Sequence, residues 1–122
     1  SRSALFINVG NSHTLSALVH ERMIFGLFEH HTSCLTRDKL ERLLMKFQRG
    51  DLSTQEVLDD GGHGSIVLDG YRVENGEEII VTGPNRRLLE HSKLPLRFAA
   101  PYGNMMLTGP FGLVRGALLR QH

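Results

Sequence analysis

The chain has 122 residues, 40% hydrophobic and 22% charged, with 14 basic and 13 acidic side chains and a formal net charge of +1. That length fits one domain, and the charge balance gives no footprint for nucleic acid or an anionic membrane. No apolar run approaches the roughly 20 residues of a membrane span, and the single cysteine, Cys34, excludes an internal disulfide and suits a reducing, cytoplasmic setting.

Ser1-Arg2-Ser3 carries no leader pattern and runs straight into an apolar stretch, and the missing initiator Met is expected of a truncated or processed chain. Leu5, Phe6, Ile7 and Val9 read as a buried strand, and Thr14, Leu15, Ala17, Leu18 and Val19 as a second. Between them Gly10 to His13 is turn chemistry: Gly10 accommodates a positive φ, and Asn11 tolerates one. A tight hairpin tip exposes N–H groups and small hydroxyls, which suits phosphate. Glu21 and Arg22 make a second turn. Met23 to Phe28 is a third strand, which completes an antiparallel meander, and His30 to Cys34 is a connection.

Thr36 is placed to cap a helix, with Asp38 in its first turn. Leu40, Leu43, Leu44 and Phe47 recur at i, i+3, i+4 and i+7 and form one apolar face. Gly50 ends that helix. Ser53 and Glu56 form a capping box for a short second helix that stops at Gly61 and Gly62. Residues 65–69 fit a short strand, and Asn75-Gly76 is a turn signal. Glu78 to Thr82 is a buried, parallel strand. Gly83, Pro84 and Asn85 open a helix from Arg86 to about His91. Leu96 to Ala99 is the last strand, and Met105 to Leu119 is mainly helical, with Gly109, Gly112, Gly116 and Ala117 as a small face. No internal repeat stands out.

Three groups of side chains carry possible chemistry. Gly10, Asn11, Ser12, His13 and Thr14 form a phosphate-loop candidate. Gly83, Pro84 and Asn85 lie at the carboxyl end of a parallel strand, where ligands of open α/β sheets gather. Asp59, Asp60 and His63 share a glycine-rich loop and could bind a metal or act as acid and base, with His63 the favoured catalytic residue. The spacing His30-His31-x-x-Cys34 lacks a second ligand pair for structural zinc, so it reads as surface connection, and no residue is assigned to a metal.

The predicted order is α/β: a three-stranded antiparallel meander extended by two parallel strands, with helices on both faces. This arrangement is ribonuclease H-like. With its glycine turn between the first two strands, it resembles one lobe of the actin, Hsp70 and sugar-kinase ATPase superfamily. Ile7 to Val19 looks like that superfamily's second phosphate motif, Asp-x-Gly-x-x-Thr, with Asn8 in the acidic position. Ile79 to Arg86 looks like its adenosine motif, with Pro84 replacing a glycine. Gly61 to Gly64 and Met106 to Leu113 are similar to stretches of a family labelled pyruvate formate-lyase activating enzymes. That label implies radical chemistry, yet one cysteine cannot hold an iron–sulfur cluster.

The superfamily resemblance implies that residues 1–122 are a single domain, the C-terminal lobe of a two-lobed protein. The N-terminal lobe of the same chain is then its partner, and a second copy of the chain is the other partner considered. It also implies ATP with Mg²⁺ as cofactor of the full-length protein, with none assigned to this lobe alone. Asn8 and Gly10 to Thr14 would hold phosphate, and Gly83 to Asn85 would lie near base and ribose. A carboxylate at position 8 would serve Mg²⁺ or the attacking water better than an amide. A non-catalytic regulatory or assembly domain is therefore the competing reading. A ribonuclease H-type nuclease would need clustered carboxylates that these strands do not offer.

Overall fold

A computed structural model describes residues 3–67 and 78–99. The chain begins with β1 (Ser3–Val9), β2 (His13–His20) and β3 (Met23–His31). Helices α1 (Arg37–Gln48) and α2 (Thr54–Asp59) follow, then β4 (Gly64–Val67), β5 (Glu78–Thr82) and β6 (Leu96–Phe98). The six strands form one mixed sheet in the order β4-β3-β2-β1-β5-β6. The β1, β2 and β3 strands pair antiparallel, β4 adds antiparallel to β3, and β5 and β6 add parallel on the other side. The expected meander and two parallel strands are present, and β4 widens the sheet at the meander's edge.

Strand register sorts the side chains. Leu5, Ile7 and Val9 share a face with their opposite residues Leu18, Ser16 and Thr14, and with Ile79 and Val81. Phe28 and His30 continue that face across β3. Helix α1 lays Leu40, Leu43, Leu44 and Phe47 against it, and Val57 of α2 joins the same core. Phe47 meets Phe28 edge to face, with ring centroids 4.9 Å apart, a favoured aromatic geometry. Both described α-helices thus cover one face. The helix expected at Met105 to Leu119, which would cover the other, lies outside the described residues.

The helix ends follow their sequence signals. The Thr36 hydroxyl accepts the Lys39 N–H, and Ser53 with Glu56 forms a complete capping box. The expected helix from Arg86 to His91 is instead a 3-10 turn over Arg86–Leu89. Leu89 is buried in the core, His91 takes a positive φ of 63°, and these end the segment before an α-turn can propagate.

The two hairpins differ from expectation in where they hold positive φ. Gly10 and Asn11 are not among the positive-φ residues; Glu21 and Arg22 are, at 49° and 69°. That pair has the signs of a type I′ turn, whose twist suits a two-residue hairpin. Gly10 is needed for space: a Cβ there would stand 2.6 Å from the His13 carbonyl oxygen.

Candidate functional site

The phosphate-loop and adenosine-turn candidates, far apart in sequence, meet at the carboxyl ends of β1 and β5. The Asn85 backbone N–H donates to the Val9 carbonyl at 2.9 Å. Its side-chain amide donates to the Gly10 carbonyl at 3.1 Å. Gly83 makes this approach possible: its φ is 105°, and a Cβ would fall 2.4 Å from the Val9 oxygen. Any other residue would push β5's exit away from β1. Beside the turn lies an open cavity of about 560 Å³ lined by Pro84, Asn85, Arg86, Arg87, Glu90 and Phe98.

The hairpin tip is braced from within. The Gly10 N–H donates to the His13 carbonyl at 2.9 Å. Thr32, just after β3, donates its hydroxyl to the Gly10 carbonyl at 2.8 Å and its N–H to the Ser12 carbonyl at 2.9 Å. The Thr14 and Thr32 hydroxyls stand 2.9 Å apart. Asn11 and Ser12 are exposed at the tip, whereas Thr14 is fully buried on the helix-covered face. Thr32 gave no signal in the sequence, because a lone threonine in a polar stretch has no periodicity.

Asn8 is 4% exposed, and its Oδ1 accepts the Thr82 hydroxyl at 3.0 Å. It clamps β1 to β5, and the loop from Gly10 to Thr14 carries no carboxylate.

His30 and His31 are not a surface connection; they end β3 and point to opposite faces. His30 is fully buried. The His31 N–H donates to its Nδ1 at 2.8 Å, so Nε2 carries the proton and donates to Asp60 Oδ2 at 2.7 Å. Lys39 Nζ reaches Asp60 Oδ1 at 3.0 Å. Burial works to raise the Asp60 carboxyl, but the hydrogen bonds from Lys39 and His30 outweigh it and hold it below its usual range. Asp60 is thereby joined to the buried His30 and to Lys39. Asp59 instead accepts from Gln55, one turn back on α2, at 2.7 Å.

His63 joins a different group. His13 lies directly opposite His31 in the sheet register. The His63 N–H donates to the Glu29 carbonyl at 2.9 Å, which brings its ring alongside. Ring centroids stand 5.1 Å apart for His13–His31, 5.3 Å for His13–His63 and 4.4 Å for His31–His63. One nitrogen from each ring lies within 4.8 Å of the others. Partial burial, followed by the like charge of His63, His13 and His30, holds the His31 imidazole below its ordinary pKa; Glu29 pulls the other way. His31 was missed as a site residue because its partners sit 18 and 32 positions away, outside any short motif.

A family model described as "Putative pyruvate format-lyase activating enzyme (DUF1786)" matches residues 1–88. The chain belongs to that family. No curated protein and no solved structure matches it. The family's printed description points to activating-enzyme chemistry, but Cys34 is the chain's single cysteine and it is only partly buried beside α1. One thiolate does not fit an iron–sulfur cluster.

Proposed function

We propose that this member of the family is a nucleotide- or phosphate-binding lobe of the actin-like ATPase type, built on a ribonuclease H-like sheet. The observation that carries the reading is the joining of two glycine turns at the carboxyl ends of adjacent parallel strands, through Asn85. Strand order supports it as well: an antiparallel meander continued by parallel strands from β1 outward. Asn11 and Ser12 at the exposed tip would meet phosphate. Arg86 and Arg87, in the cavity beside Asn85, supply the guanidinium groups that recognise phosphate oxygens. The Arg86 Nη1 already donates to the Gly83 carbonyl at 3.0 Å, which holds that side chain at the turn.

Hydrolysis is a poorer match. The amide oxygen of Asn8 is committed to Thr82, and a hard cation such as Mg²⁺ wants carboxylate and water oxygens. The residues at this turn therefore fit a bound nucleotide better than a Mg²⁺-dependent reaction. The same commitment favours a second reading, a regulatory or assembly lobe that keeps the fold and has lost the chemistry. Residues 1–122 would in either case be one lobe, partnered by an N-terminal lobe of the same chain.

Calorimetric titration of the full-length protein with ATP, ADP and inorganic phosphate, each with and without Mg²⁺, tests the proposal. Saturable ATP or ADP binding is expected, and Asn85→Ala should weaken it about tenfold, the effect of roughly 1.4 kcal/mol. No binding of any of the three sinks the nucleotide reading and leaves the assembly lobe.

A further inference from the structure

We propose that His13, His31 and His63 bind a divalent transition-metal ion, Zn²⁺ or a chemical equivalent. This site shares His13 with the phosphate-loop candidate, but its argument and its test do not depend on nucleotide binding. Three observations carry it.

The first is convergence. The β2–β3 register fixes His13 opposite His31, and the backbone bond from His63 to Glu29 adds the third ring. The nitrogen atoms lie within 4.8 Å of one another. Ligands on a tetrahedral Zn²⁺ at 2.0–2.1 Å stand roughly 3.3 Å apart, so the rings need to draw in by no more than about 1.5 Å. His63 is the exposed member, and its side chain has room to make that adjustment.

The second is the backbone device that produces the pairing. The β2–β3 ladder is regular from the turn as far as Val19–Ile24, then shifts by one residue, so that Leu18 faces Gly26. Beyond that bulge at Phe25, every residue of β3 is displaced by one. Without it, His13 would face His30, and His31 would turn into the core. Bulges re-aim side chains in this way beside functional sites.

The third is chemistry. Three imidazoles with no carboxylate among them suit Zn²⁺, Co²⁺, Ni²⁺ or Cu²⁺ and not Mg²⁺ or Ca²⁺. Three protein ligands leave a fourth position for water or a ligand oxygen, the pattern of reactive rather than structural zinc. His63 also lines a cavity of about 360 Å³, together with Leu15, Leu27, Glu29, Thr54 and Ile66.

The test is titration of the full chain with ZnCl₂ by calorimetry and with CoCl₂ by absorption and proton NMR. One ion per chain is expected. His31→Ala and His63→Ala should each weaken binding by at least about tenfold, while His91→Ala, at an exposed histidine outside the cluster, should leave it unchanged. Circular dichroism checks that each variant is folded. Should His31→Ala fail to fold, the Co²⁺-loaded parent chain decides, since three coordinated imidazoles give three shifted exchangeable N–H resonances. Fewer than three such resonances, or an affinity that His63→Ala leaves intact, overturns the site.

Discussion

At the scale of single residues, a carboxyl introduced at position 8 and the native one of Glu41 respond to pH in opposite directions. Asn8 is buried and accepts from Thr82. An aspartate would keep the acceptor but carry a charge into a site with almost no water. In Asn8→Asp, burial raises the folded pKa above the unfolded value of about 3.9. Its stability is then fullest below that value and is lost as pH rises through the folded pKa. The gap in urea stability between variant and parent should widen by about 1–3 kcal/mol from pH 5 to pH 7; equal gaps would show that water reaches the site. Glu41 has the reverse sign. Its carboxylate accepts the Ser92 hydroxyl at 2.6 Å and the Lys93 N–H at 2.7 Å. These bonds, Ser92's first, hold its pKa below the usual range. It therefore stabilises the fold above its unfolded pKa, and that contribution is lost as pH falls through the lowered folded value. Denaturation midpoints of Glu41→Gln should depend less on pH than the parent's across the acid limb, and parallel limbs would refute the assignment.

At the scale of elements, the meander turn is where the chain works against local preference. Glu21 and Arg22 both sit at positive φ, a region that favours Asn and Gly. Replacing them together, Glu21→Asn with Arg22→Gly, should raise stability by about 1 kcal/mol, read as a higher urea midpoint at constant slope. A lower midpoint would mean that the parent side chains make compensating contacts. The turn's location was legible in the sequence; its handedness was not, because neither residue advertises it. Helix α1 was legible throughout, since its cap and its apolar spacing are local signals. The end of β3 was hidden for the opposite reason. His30 looks polar, yet it is fully buried, with Asp60, 30 residues on, accepting its ring hydrogen bond. The histidine cluster was equally hidden: a one-residue bulge decides which of two adjacent histidines faces His13, and no periodicity encodes a bulge. Of the two glycine turns, the glycines were visible, while the Asn85 bond that unites them depends on strand order.

At the scale of the whole molecule, the described sheet divides into a local part and a distant part. The β1, β2 and β3 strands close through short turns, whereas β5 pairs with β1 across a long sequence separation, with Thr82 and Asn8 74 positions apart. The family match over residues 1–88 takes in both parts, from β1 through β5 to the turn with Asn85. Among the described residues no helix is long and apolar enough to cross a membrane. The bond from Asn85 to Gly10 then has a meaning in time as well as in space. Local hairpins close within microseconds, while non-local parallel pairing pays its loop entropy before any contact rewards it. The hairpin tip therefore forms early and waits; the paired turns come into being only when β5 docks. A nascent chain that has released β1 to β4 already holds His13, His31 and His63 and still lacks the β1–β5 junction, so the arrival of β5 completes the paired turns.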